Sequence, residues 1–186
     1  MAEYRTDDSC ATWTKMEGCT AVLAHAKNGR LFGADGNYVV YSDDDGKTWT
    51  KLCITGYAVR DLAYDETNDL LYIANGGVGN VIKADGSQKR PDVISSNTPV
   101  AEGICLDPQN TNIIYMCGND WVYRSLDAGK TWTNLCRLVG DGRDNCPDGG
   151  KTAGSIEFCE TTRELFAACG CRGIWKIKAC DASKGK

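Results

Sequence analysis

One loop occurs twice in this chain. The stretch YSDDDGKTWTKL at 41–52 returns at 123–135 as YRSLDAGKTWTNL, which sets Ser42 on Ser125, Asp44 on Asp127, Gly46 on Gly129, Thr48 on Thr131 and Trp49 on Trp132. The shared pattern is S-x-D-x-G-x-T-W. A loop that repeats implies that the unit carrying it repeats, so the chain is constrained to an array of similar units. A degenerate third copy lies at the start, where YRTDDSCATWTKM places Thr6, Asp8, Cys10, Thr12 and Trp13 at the same positions, with Cys10 in place of the glycine.

The pattern reads as a tight turn between two strands. Ser and Asp side chains accept hydrogen bonds from backbone N–H groups nearby, and Gly takes the positive φ that such a turn needs. The Thr-Trp-Thr-x-Leu that follows alternates polar and apolar residues, so Trp49 with Leu52, and Trp132 with Leu135, anchor the next strand on a packed face.

Four segments share one plan of strand, turn, strand, loop, strand: 21–42, 59–86, 101–125 and 153–177. Their equivalent aromatics, Phe32, Tyr72, Tyr115 and Phe166, are 40, 43 and 51 residues apart, within the range of propeller blades. No stretch has a helical apolar period, which predicts an all-β chain. The units run over about 20–57, 58–98, 99–147 and 148–180 of a single domain, with an N-terminal half-unit at 3–16.

The two strict boxes and the degenerate one resemble those of the Asp-box (BNR-repeat) β-propellers. That group includes sialidases, xyloglucan-active glycoside hydrolases, sortilin-type receptor domains and a photosystem assembly factor. The stretches LDPQNTNIIYMCGNDWVYRSLDAGKTWTNL and CGCRGIWKI add to the resemblance. It implies a small propeller of about four blades, and it says little about activity, because in that group the box lies at the blade periphery.

The ends raise a problem of closure. The last unit stops after a third strand, GIWKIK, and TWTKM at 12–16 resembles the missing fourth. Pairing the two would remove two exposed edges at once. EYRT at 3–6 resembles a third strand and is then surplus, so either it is displaced or two chains join their open edges.

Composition bounds the function. A net charge of −4 with scattered basic residues argues against a nucleic-acid surface. No apolar run approaches the roughly 18 residues of a membrane span, and MAEYRTDD does not read as a signal peptide. Eleven cysteines point to secretion or another oxidising compartment, with any leader already removed. Short-loop disulfides are expected between Cys10 and Cys19 and between Cys136 and Cys146. The odd count leaves one thiol over.

No catalytic set stands out. Glycoside hydrolysis needs two carboxyl groups flanking a sugar. Asp43, Asp44 and Asp45 are adjacent in a turn and point apart, and Asp61 and Asp65 read as surface positions of one strand. The arginine triad of a sialidase cannot be assembled from Arg5, Arg30, Arg60 and Arg124, and that family's Phe-Arg-Ile-Pro motif is absent. His25, the single histidine, has no nucleophile motif beside it. Cys105, Cys117, Cys159 and the CGC at 169–171 lack the C-x-x-C spacing of zinc ribbons. Asp141, Asp144 and Asp148, with Asn145, offer oxygen ligands for calcium without the spacing of an EF-hand, and no other cofactor is implied.

Two function classes follow: a non-catalytic extracellular binding or structural/assembly module whose ligand is a glycan or a protein, and a sialidase- or xyloglucanase-like glycoside hydrolase whose site is divergent or shared between chains. A central pocket with two carboxylates and several aromatics points to the second, and a plugged channel to the first.

Overall fold

The structure, a computed structural model, describes residues 3–94, 101–138, 153–169 and 173–179. Seventeen strands and no helix occur among them. Three antiparallel sheets have four strands each. The first blade is β3 (Ala21–His25), β4 (Leu31–Asp35), β5 (Tyr38–Ser42) and β6 (Thr50–Ile54). The second is β7 (Asp61–Asp65), β8 (Leu70–Ala74), β9 (Gly79–Lys83) and β10 (Asp92–Val93), and the third is β11 (Gly103–Asp107), β12 (Asn110–Gly118), β13 (Trp121–Ser125) and β14 (Thr133–Arg137). A fourth blade has three strands, β15 (Ala153–Cys159), β16 (Glu164–Cys169) and β17 (Ile174–Lys178). The chain is thus an all-β propeller arrangement of four blades, as its repeats predict.

β1 (Tyr4–Arg5) pairs with β2 (Thr14–Lys15) to make a separate half-blade. The N-terminal strand therefore does not close the last blade, because β2 is taken by β1. The half-blade occupies the outer part of the place where a blade before the first would stand. Met16, just after β2, lies over Gly46 as Ile94, just after β10, lies over Gly129.

Inner strands pack in sequence, β3 on β7, β7 on β11 and β11 on β15, with no comparable packing of β15 on β3 among the described residues. Between blades the contact repeats. The second strand of each of the first three blades carries a large aromatic that meets the inner strand of the next blade: Phe32 meets Tyr64 with ring centroids 5.0 Å apart, and Tyr115 meets Phe158 at 5.9 Å. Tyr72 shares a core cluster with Leu106 at the corresponding point. Phe32, Tyr72 and Tyr115 are fully buried as a result. Burying such a ring supplies on the order of 2–3 kcal/mol, which makes the blade interface the main stabilising contact.

Four cysteines help fill these interfaces. Cys53 packs in the cluster between the first two blades, and Cys105, Cys117 and Cys169 pack in the cluster between the last two, as small apolar side chains do. The expected Cys10–Cys19 bridge is not formed: both are thiols. Cys10 is exposed in its turn, whereas Cys19 is buried with its Sγ donating to Ala21 O at 3.2 Å. Cys136 is likewise a thiol, and its expected partner Cys146 lies outside the described residues.

Candidate functional site

All three boxes make one network. In the first strict copy, Ser42 Oγ donates to Asp44 Oδ1 (2.8 Å) and accepts from the Gly46 amide (2.8 Å), while Asp44 accepts from the Thr48 amide (2.9 Å) and hydroxyl (2.7 Å). Ser125, Asp127, Gly129 and Thr131 repeat these bonds at 2.8, 2.8, 2.8 and 2.6 Å. Thr6, Asp8, Cys10 and Thr12 repeat them again, with Thr6 replacing serine. Two consecutive residues in each box have positive φ: Asp45 and Gly46 (58° and 79°), Ala128 and Gly129 (56° and 87°), and Ser9 and Cys10 (57° and 72°). The threonine hydroxyl, then its amide, holds each aspartate at a pKa of about 2. Every acceptor of these carboxylates faces its own turn, so the boxes are folding devices.

The space for a ligand lies elsewhere. The inner strands β3, β7, β11 and β15 border an open cleft of about 750 Å³, within the size range of small-molecule sites. His25, Lys27, Glu66, Glu157 and Glu160 bring polar groups to it, and Tyr64 and Phe158 bring rings. Glu66, Glu157 and Glu160 are exposed on its wall. Both rings are already engaged, Tyr64 on Phe32 and Phe158 on Tyr115 with the Arg163 guanidinium 4.8 Å from its centroid.

Asp61, read from the sequence as a surface residue, is a cleft residue that ties two blades together. Its Oδ2 accepts from the Ile104 amide of β11 at 2.9 Å, and its Oδ1 accepts from the Leu62 amide at 2.9 Å. Burial raises its pKa to about 6 against those two hydrogen bonds, and the negative charge of Glu157 adds to the rise. With both oxygens spent on amides, Asp61 is poorly placed to deliver a proton to a ligand. Asp65 is fully buried and caps its own turn through Thr67 N (3.0 Å) and Asn68 Nδ2 (2.7 Å). Asp107, at the corresponding strand end, is buried and gripped by both terminal nitrogens of Arg163 from the fourth blade, one at 2.7 Å.

The remaining sequence candidates scatter. Arg30 holds Asp43 with two bonds of 2.6 and 2.9 Å, Arg5 holds Asp7, and Arg60 faces Glu102 at 3.5 Å, so they do not converge. His25 is exposed at the end of β3. Cys159 ends β15, and its thiol pKa is lowered by hydrogen bonds from the hydroxyl and then the amide of Thr162. Among the described residues, no group of three or more His, Cys, Asp or Glu is arranged to hold a metal. Asp141, Asp144 and Asp148 lie outside those residues. No described helix is long and apolar enough to cross a membrane. Sequence reasoning missed Glu157, Glu66 and Glu160, for which only their place on or just beyond inner strands is a signal.

No protein-family model and no curated protein matches the chain in sequence. Solved structures do match it in shape. A GH74 xyloglucanase from Xanthomonas campestris superposes with a TM-score of 0.69 at 19% identity, over 96% of this chain and 34% of that one. A gluconolactonase from the same organism, XC5397, gives 0.69 at 14% identity over 92% and 63%, and YCF48 from Cyanidioschyzon merolae gives 0.66 at 16% over 95% and 61%. The chain spans about a third of the first and less than two thirds of the others. At these identities the likeness shows the fold, and that fold is the β-propeller.

Proposed function

We propose that the protein is a non-catalytic binding module whose inner cleft takes a polyhydroxylated ligand, a glycan in the first place. The observation that carries this reading is the cleft's chemistry. Two exposed carboxylates, Glu157 and Glu160, stand ready to accept from hydroxyl donors, while Glu66 accepts from the Lys27 amide (2.7 Å) and pairs with its ammonium, and the part-buried Asp61 is committed to two backbone amides. Two similar structures are named for sugar chemistry, a xyloglucanase and a gluconolactonase, which supports a saccharide as the ligand class.

A second reading, glycoside hydrolysis, is favoured by the pKa of about 6 at Asp61 and the neighbouring charge of Glu157. Titration of the protein against immobilised glycans, with reducing-end release assayed on the same samples, separates the two. Binding without release, weakened about tenfold by Glu157→Ala, is expected. Absence of any saccharide binding would sink the proposal, and release of reducing ends abolished by Asp61→Asn would replace it with the second reading.

A further inference from the structure

At one end of the inner strands an aromatic ring is held out to solvent. Tyr57, in the connection between β6 and β7, is 62% exposed. A lone exposed ring is ordinary, but this one is fixed from below. It lies against Gly77 of the β8–β9 turn so closely that a Cβ there would stand 2.6 Å from its Cδ2 and Cε2. Its backbone is fixed as well. The buried Thr55 donates its hydroxyl to Tyr57 O at 2.6 Å, Val59 N donates to Gly36 O at 3.0 Å, and Arg60 N donates to Ala74 O at 2.8 Å. The turn beneath is held by the buried Asn75, which accepts from the Gly77 and Val78 amides at 3.0 and 2.8 Å and donates to Asn80 at 2.9 Å. A tyrosine ring held this way offers contact area at little cost in conformational entropy.

Gly76, the preceding residue, supports a polar pair. A Cβ there would lie 3.3 Å from Arg60 Nε and 3.9 Å from Glu102 Oε1, and the two side chains face each other at 3.5 Å. Consecutive Cα atoms are about 3.8 Å apart, so the ring and the ion pair rest side by side on one turn. Arg60 presents a fork of N–H donors, and the contact with Glu102 leaves most of them to water. The pair also marks the end of the cleft. Arg60 directly precedes Asp61 and Glu102 comes just before Gly103 and Ile104, and both Asp61 and Ile104 line the cleft. Neighbouring strands are about 4.8 Å apart, which puts the β8–β9 turn roughly 5–10 Å outward of β7, about one or two pyranose rings from the cleft wall.

We propose that Tyr57, with Arg60 and Glu102, forms a second sugar subsite, and that the ligand is an oligosaccharide of β-linked pyranoses running from the cleft onto it. The inference rests on the glycan reading of the cleft. Equatorial hydroxyls leave the two faces of such a ring lined with C–H groups, and one face packs on the tyrosine. The hydroxyls at its rim accept from the Arg60 guanidinium and donate to the Glu102 carboxylate, which fixes the orientation of the sugar.

Calorimetric titration with β-1,4-linked gluco-oligosaccharides, from the monosaccharide to the hexasaccharide, tests it. Affinity should rise with length, gaining about tenfold between the disaccharide and the pentasaccharide. Tyr57→Ala should remove that gain and leave the shortest bound sugar unaffected, and Tyr57→Phe should keep it. Gly77→Ala retains the ring and displaces it, at a backbone φ outside the left-handed region, and should lose the gain too. Glu157→Ala should weaken every length. An affinity that does not grow with length, or a gain that survives Tyr57→Ala or Gly77→Ala, overturns the subsite and leaves the cleft reading standing. Absence of binding at every length overturns both.

Discussion

The strict boxes at Ser42 and Ser125 and the degenerate one at Thr6 have the same hydrogen bonds and different surroundings. Gly46 and Gly129 are buried, and their tryptophans are tucked in, with Trp49 Nε1 donating to Gly46 O (3.2 Å) and Trp132 Nε1 to Gly129 O (3.0 Å) and Ile94 O (2.7 Å). At the N-terminus Cys10 is exposed and Trp13 is 58% exposed. The turn therefore closes through bonds spanning two to four residues and needs no blade behind it. What the blade adds is burial. A motif of this kind is evidence for local geometry everywhere it occurs and for packing only where its tryptophan is covered.

Substitutions at equivalent sites make that difference measurable. Trp132→Ala should cost about 3 kcal/mol in urea unfolding, since it removes packing and two hydrogen bonds, whereas Trp13→Ala should stay within about 0.5 kcal/mol. Equal losses would break the comparison. Gly129→Ala puts a Cβ at φ +87° and 3.1 Å from Ile94, and about 2 kcal/mol of destabilisation is expected. Cys10→Gly works in reverse: it relieves the positive φ at the degenerate box by about 1 kcal/mol, read as slower local amide exchange around 6–14 and not as a shift of the global midpoint.

Two pH effects of opposite sign complete the set. The box aspartates have folded pKa values of about 2 against 3.8, so their contribution is present above 3.8 and lost as pH falls through 2. Acid titration of Asp127→Ala should lose that share of the acid dependence. Asp61 is raised to about 6 from 3.8, so its contribution is full below 3.8 and lost as pH rises through 6. Asp61→Asn should flatten unfolding midpoints between those values, and an unchanged slope would contradict its burial.

The parts of the molecule readable from sequence are those fixed by neighbours along the chain. The boxes were legible because Ser42, Asp44, Gly46 and Thr48 bond to one another, and the blades because Phe32, Tyr72, Tyr115 and Phe166 recur at similar spacing. The cleft was not, because which side of β3 faces inward depends on a register shift between Val22 and Ala24 that no residue type announces. The tie between Asp107 and Arg163 spans 56 residues and two blades. Cysteine count misled because a thiol also serves as a small core residue, as Cys19, Cys105 and Cys117 do, or stands in a turn, as Cys10 does at the glycine position of its box.

Amide hydrogen exchange of the three boxes, read residue by residue, tests most directly the claim that the box is local and its burial is tertiary. The account predicts that the buried Gly46 and Gly129 amides exchange only through global unfolding, while the exposed Cys10 amide, bonded to the equivalent hydroxyl, exchanges by local opening at a much faster rate. Equal protection at all three boxes would contradict it, and would mean that the half-blade is packed as firmly as the complete ones.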